Sequence, residues 1–421
     1  MGTPPAISLT PTPPAPTDPV HDPYRRAMDL LQRLAPSKMR IGFFLGAGCP
    51  LAVQIPIEGK FEPIIPEISG LTAQVKAHLD ADSTLKAGAQ SAWDRVVARG
   101  IPTPTIEDVL SHIRTLKSIC EQGEIDGFSR DLLIKLDQSI CEKVRNIVNK
   151  SLPSSDTPYR VLASWIQAIS RDRPVEIFTT NYDLLIEQAL EEQLVPYFDG
   201  FVGSNSAFLD LDSMAEDDLP ARWARLWKIH GSINWWMTAK DKIRRSSDPV
   251  AGEQLLIYPS HLKYEQSRQM PYYAMLDRLR VFLRSDQCVL LTCGYSFADE
   301  HINAVIGQGL SGNPNAACIA MIFGDRAQSP KARELAKRHA NLTLLATDGG
   351  VIGTVERNWG SEVKVTNPAY AIAIAVTVPS GRTKAPPDQC KWLLGDFAAF
   401  GQFLAQQLSS RDIEQGASDA H

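Results

Sequence analysis

The sequence predicts an α/β fold: a parallel sheet with helices on both faces, plus a helical subdomain inserted in the N-terminal half. Two observations carry this. From about residue 155 onward, short apolar runs alternate with amphipathic stretches, the rhythm of strand–helix–strand crossovers. Between about 70 and 150 that rhythm stops, and apolar residues recur at helical spacing instead.

Each element follows from the residues. Tyr24–Leu34 reads as a short amphipathic helix, and Met39–Leu45 (MRIGFFL) as a buried strand that stops at Gly46-Ala47-Gly48. Thr105-Ile-Glu-Asp108 is a capping box opening a helix through Ile119. Leu132, Leu133, Leu136, Ile140, Val144, Ile147 and Val148 keep helical spacing on a second long segment. Thr157-Pro158 is a cap followed by an N1 proline, ahead of a helix through Ile169. Strands are then expected at Val175–Thr179, Leu226–Ile229, Leu255–Tyr258, Cys288–Cys293, Ala317–Phe323 and Leu342–Leu345. Helices fall at Asp183–Glu192, Met270–Arg284, from Ala298, and at Ser329–His339. Ala369–Val378 reads as a further buried strand and Trp392–Leu408 as an apolar helix. The resulting division is a proline-rich tail over 1–24, a sheet domain over 25–69 and 155–350, a helical subdomain over 70–154, a C-terminal extension over 351–408 and a polar tail over 409–421.

Composition narrows the function classes. The 421 residues are 44% hydrophobic and 22% charged, ordinary globular usage that excludes a mainly disordered or fibrous chain. A formal net charge of −5 supplies no global basic field for nucleic acid or acidic lipid. No apolar run approaches the ~18 residues of a membrane helix, and no signal peptide is visible, so a cytoplasmic protein is expected. The seven cysteines include no C-x₂-C pair and lie in apolar segments, which reads as buried reduced thiols rather than a zinc ribbon. No metal is expected.

Four motifs sit at strand ends, where an open α/β sheet builds its ligand crevice. Leu45-Gly46-Ala47-Gly48-Cys49 follows the first strand; it is either a diphosphate-binding loop or a tight turn. Thr179-Thr180-Asn181-Tyr182-Asp183 follows VEIF; its amide and carboxylate suit a ribose or an amide ligand, or simply cap the next helix. Lys228-Ile229-His230-Gly231-Ser232 places an imidazole where a strand ends, as a general base or as a core histidine. In Cys293-Gly294-Tyr295-Ser296-Phe297-Ala298-Asp299, Gly294 and Ser296 can approach a ribose or phosphate, or Ser296 and Asp299 can cap a helix. Trp223, Trp227, Trp235 and Trp236 read as core, and Arg278, Arg280 and Arg284 as a solvated face flanked by Asp277 and Asp286.

Taken together, the four motifs resemble the sirtuin-like family, with its G-A-G loop, T-x-N-x-D segment, H-G and late G-x-S loop. The phrases IFTTNYDLLIEQAL, WKIHGSINWW, LIYPSHLKYEQS and CGYSFADEHIN resemble its bacterial antiphage-defence branch, closest to the sirtuin-like partner of the HerA ATPase. The resemblance covers about 35 to 345. It implies a Rossmann-like NAD-binding domain that takes NAD⁺ as substrate and hydrolyses it to nicotinamide and ADP-ribose. It also implies a homo-oligomer working with a HerA-like hexameric ATPase, without sequence-specific nucleic-acid binding. By resemblance, Gly46, Ala47 and Gly48 hold the diphosphate, with Cys49 and Thr180 as further binding positions. Asn181 fixes the ribose and a water, Asp183 bonds the carboxamide, His230 removes a proton, and Gly294 and Ser296 hold the adenosine side. Pro50 departs from the family pattern, and the deacylase zinc module is absent from the sequence, so water is the expected acceptor. An NAD-dependent protein deacylase and a non-catalytic NAD or ADP-ribose-binding subunit of a ring ATPase complex are the alternatives.

Overall fold

A computed structural model of the chain describes residues 19–35, 39–238, 242–248, 254–257, 271–360, 368–376 and 390–418. The proline-rich run through residue 18, much of LIYPSHLKYEQS, and residues 377–378 of the expected late strand lie outside them. Among the described residues the main sheet has nine strands: β1 (Arg40–Leu45), β2 (Val175–Thr179), β3 (Tyr197–Phe198), β4 (Ala224–Lys228), β5 (Cys288–Cys293), β6 (Ala316–Met321), β7 (Leu342–Ala346), β8 (Gly349–Ile352) and β9 (Val355–Asn358). Their spatial order is β9-β8-β7-β6-β5-β1-β2-β4-β3. All pairings from β3 to β7 are parallel, and β7-β8-β9 is an antiparallel edge. The sheet therefore continues past residue 350.

The apolar strands are buried on both faces, as a helix-covered parallel sheet requires. Ile41, Phe43 and Leu45 pack into one core cluster while Phe44 packs into the other, and β5 divides in the same way: Val289, Leu291 and Cys293 against Cys288 and Leu290. Trp227, Trp235 and Trp236 are buried, as expected for core. All seven cysteines are free and buried.

The chain leaves β1, builds β2 and β4 on one side, then crosses to β5, β6 and β7 on the other. The strand order thus reverses between β1 and β5, the point where such sheets open a crevice at the carboxyl ends of their strands. Register brings the ends level: Leu45 pairs with Cys293 on one side and Thr179 on the other, and Thr179 pairs with Lys228. The four motif loops therefore leave one edge of the sheet at one height.

Four helices, Ile68–Ala81, Lys86–Ala98, Ile106–Ile119 and Arg130–Val148, fill the space between β1 and β2 in the chain. The Thr105 capping box forms with both reciprocal hydrogen bonds, and Thr157 caps the helix Pro158–Ala168.

Several expectations change. Among the described residues a second sheet of five short antiparallel strands, Phe201–Val202, Ala207–Leu209, Gly231–Met237, Ile243–Arg245 and Gln254–Ile257, stands beside the first. Its strands of two to seven residues leave almost no periodicity to read. The stretch expected as one strand from Ala369 is a helix, Pro368–Ala373, followed by a strand, Ile374–Val376; its alternate alanines favour helix as readily as they fit a core. Trp392 closes the strand Cys390–Trp392 rather than opening a helix, and the last helix, Phe397–Ser418, runs through the tail expected to fray. Arg278 is buried rather than solvated. Its guanidinium lies 5.3 Å over the Trp227 ring and reaches to 3.7 Å from Asp217.

Candidate functional site

At the switch point the two glycine loops meet each other. A Cβ on Gly46 would stand 2.6 Å from the Cα of Tyr295, and one on Gly48 would stand 2.8 Å from the Cα of Gly294. Gly294 holds φ at +61°, and a Cβ there would lie 2.5 Å from the Cys49 nitrogen. Only glycine fits either face of this contact. The Gly48 amide donates to the Gly294 carbonyl (2.9 Å), the Gly46 amide to Cys293 (2.9 Å) and the Cys49 amide to Gly46 (3.0 Å). Three amides of the expected diphosphate loop are therefore spent within the protein, and Ala47, exposed at the turn, lies outside these bonds. Cys49 also turns its thiol into the core, donating to the Cys293 carbonyl at 3.2 Å.

Beside the glycines lies a cavity of about 620 Å³. Ala47, Gly48, Thr180, Asn181, Asp183, His230, Gly294 and Ser296 all line it; Gly46 and Cys49 stand behind the wall. Asn181 is braced from both ends. Its amide N–H donates to Thr179 Oγ1 (3.0 Å), whose hydroxyl donates to the Leu45 carbonyl (2.8 Å), and its Nδ2 donates to the Gly46 carbonyl (2.9 Å). The carboxamide is thus tied to the loop after β1 before any ligand arrives.

Asp183 is only 5% exposed, and its carboxylate accepts from the Leu185 amide at 2.9 Å, at the head of the next helix. Lys228, fully buried at the end of β4, donates to the Asp183 carbonyl and, at 2.6 Å, to Glu187 Oε1. Burial pushes both carboxyls, Asp183 and Glu187, above the usual range, with the Lys228 charge pulling the other way. One buried ammonium thus ties the Asp183 backbone to Glu187 behind the cavity wall.

The imidazole of His230 is 12% exposed and lines the cavity. Its Nε2 lies 3.2 Å from Asp299 Oδ2. Asp299 heads the helix Glu300–Gly312, and its Oδ1 accepts from the amides of His301 (2.9 Å) and Ile302 (3.2 Å). Burial pushes this carboxyl up, but the His230 hydrogen bond and charge and the two amides outweigh it and hold it below the usual carboxylate range. The approach to Asp299 is strained. Phe297 is fully buried at φ +57°, a left-handed conformation that costs a bulky residue about 1–3 kcal/mol. Asn303 holds it there, donating from Nδ2 to the Phe297 carbonyl (2.7 Å) and accepting from the Tyr295 hydroxyl (3.0 Å). Ser296 Oγ accepts from the Ala298 amide at 3.3 Å within the same loop.

The far wall of the cavity comes from outside the four motifs. Leu71, Thr105, Glu107 and Val148 from the inserted helices close the cavity opposite the strand ends. Tyr182 links the two walls, its hydroxyl donating to Glu107 at 3.5 Å. The capping box at Thr105 and the helical spacing through Val148 mark helices but not a site, because a helix shows its apolar face without showing what that face meets. Phe323, 74% exposed just past β6, stands at the rim.

A floor of amide and imidazole, a glycine-built rim and a strand-end position make this a nucleotide-sized crevice. Residues 175–345 match the SIR2-like domain family. The SIR2-like stretch carries Asn181, Asp183, His230, Gly294, Ser296 and Asp299, while the Gly46 loop precedes it. Among solved structures, one on the mechanism and regulation of Sir2 enzymes is 11% identical, with TM-score 0.34 over 72% of this chain and 86% of that chain. A Sir2 homologue in complex with NAD is 14% identical, with TM-score 0.36 over 75% and 87%. A mutant Sir2 homologue with ADP-ribose is 13% identical, with TM-score 0.31 over 74% and 96%. Among curated proteins nothing matches the chain. Among the described residues, no group of three or more His, Cys, Asp or Glu is placed to hold a metal ion, and no helix is long and apolar enough to cross a membrane.

Proposed function

We propose that this chain is an NAD⁺ glycohydrolase. The observation that carries the reading is convergence: Asn181, His230, Gly48 and Gly294, from four distant stretches, line one cavity at the switch point of the sheet. The match of residues 175–345 to the SIR2-like domain supports a dinucleotide as the occupant.

The reaction breaks the glycosidic bond between C1′ of the ribose and the nicotinamide nitrogen. The bonding pair leaves with the ring and neutralises its positive charge, through an oxocarbenium-like state. Water adds to C1′ and gives up a proton. The SIR2-like residues divide these tasks. Asn181, held by Thr179 and Gly46, orients the ribose and the water. His230 takes the proton from a ribose hydroxyl or from the water, a role that contributes on the order of 10²–10⁴-fold. Ala47, Gly48 and Gly294 bring the backbone close to the diphosphate, and Ser296 stands on the adenosine side. Asp183 faces the nicotinamide carboxamide from its buried place at the head of the next helix, where burial pushes its carboxyl above the usual range.

We extend the proposal to the setting that the motif phrases suggest: a homo-oligomer acting with a HerA-like ATPase as the NAD⁺-depleting effector of an antiphage system. An unregulated NAD⁺ hydrolase is toxic to its host, so low basal turnover in the isolated chain and gating by assembly are expected. The test is nicotinamide release from NAD⁺, measured with and without the ATPase. Asn181→Ala and His230→Ala are each expected to lower the rate about 10²-fold or more. Unchanged rates in both variants would refute the assignment, and NAD⁺ binding without turnover in the assembled complex would favour a non-catalytic subunit.

A further inference from the structure

The two acceptor atoms of Asp299 have different occupants. Oδ1 takes the amides of His301 and Ile302 at the head of a helix, and Oδ2 faces His230 Nε2 at 3.2 Å. A carboxylate oxygen only accepts, so the hydrogen of a neutral imidazole sits on Nε2, and the lone pair is left on Nδ1. We propose that Asp299 is the positioning residue of this site: it fixes the tautomer of His230, making Nδ1 the nitrogen that accepts the proton released from the ribose hydroxyl or water. Once Nδ1 is protonated, the imidazolium stays paired with the carboxylate, and the proton later leaves to solvent. The inference rests on the proposed hydrolysis and names the arrangement that drives it.

The setting fits an orienting role. Asp299 is held at its backbone by the helix start and by a loop clamped through Asn303, with Phe297 in a left-handed conformation just before it. His230 leaves the end of β4, whose last residue, Lys228, is bonded to the Asp183 carbonyl and to Glu187. The charged groups lining the same cavity are Asp183, Glu107 and Glu67, and of these and Asp299 only Asp299 pairs with the imidazole.

Asp299→Asn separates this role from the helix cap. Asparagine caps a helix as well as aspartate, so Oδ1 keeps its amides. The side-chain nitrogen, a donor, then meets Nε2 and forces the imidazole hydrogen onto Nδ1. Expected for Asp299→Asn are a kcat lowered about 10²-fold or more, with the KM for NAD⁺ and the melting temperature unchanged. In a His230→Ala background the same substitution is expected to cost nothing further. A wild-type kcat in Asp299→Asn, or a loss that adds to that of His230→Ala, would overturn the proposal. Ring ¹⁵N resonances of histidine-labelled protein judge the pair without any turnover. Hydrogen on Nε2 in the wild type and on Nδ1 in Asp299→Asn supports it; hydrogen on Nδ1 in the wild type overturns it, and does so even if the variant fails to fold. An absence of nicotinamide release by the wild type assembled with the ATPase, with the ring hydrogen on Nε2, would sink the hydrolase reading and leave the pairing standing.

Discussion

Replacing Gly294 by alanine tests the contact that shapes the crevice. The added Cβ would lie 2.5 Å from the Cys49 nitrogen and 2.8 Å from the Gly48 carbonyl carbon. Ordinary contact is about 3.5 Å, so the two loops must part by about 1 Å. Holding alanine at φ +61° costs about 1–2 kcal/mol. Opening the loops also stretches the Gly48 to Gly294 hydrogen bond, worth about 1 kcal/mol. The expected loss of stability is therefore about 2–3 kcal/mol, read as a lower urea midpoint. A displacement of about 1 Å at the reacting groups lowers turnover about 10²-fold. Gly353→Ala is the matched control: φ is +55° there, and nothing lies within 4 Å of the added Cβ. That variant pays only the backbone term, about 1–2 kcal/mol, and keeps its nicotinamide release. Equal rates and equal midpoints in the two variants would refute the idea that the glycines serve loop-to-loop packing at the site.

Two further outcomes are expected. Lys228→Met leaves Asp183 and Glu187 buried without their ammonium, and breaking such a buried set costs about 3–5 kcal/mol, measurable by urea unfolding at neutral pH. His112 is buried, with neither ring nitrogen bonded among the described residues, and burial together with the Arg99 and Arg95 charges lowers its pKa from 6.5 to about 4. The unfolded chain takes up that proton first. Stability from this residue is therefore full above pH 6.5 and is lost as pH falls toward about 4. His112→Leu should flatten that part of the stability profile without weakening the fold at pH 7, and an unchanged slope would contradict the account.

How much was legible follows from the kind of signal each feature leaves. β1, β2, β5 and the caps at Thr105 and Thr157 are local facts: a run of apolar residues, a hydroxyl three residues before a bonded amide. Asn181, His230 and Gly294 each had an ordinary structural use at a strand end, as a cap, a core histidine or a turn, and stood out only because the four motifs occur together in the order of the sirtuin-like family. Asp299 read as a helix cap, which it is; its second oxygen is explained only by an imidazole brought from another strand. Gly46 and Gly48 read as a diphosphate loop or a tight turn; that their amides are bonded inside the protein and their missing side chains make room for Gly294 is visible only in the fold. Arg278 read as a surface residue because its partners, Glu176, Asp217 and Trp227, come from other parts of the chain.

By itself, then, the sequence determined the α/β class, the buried strands and the positions of the polar groups at their ends, since hydrophobic burial and capping act over a few residues. The tertiary structure alone decided which of those ends meet, what the inserted helices cover and which atom of each side chain is already taken. Those outcomes depend on strand order and register, which are set by packing between segments that carry no mark of one another.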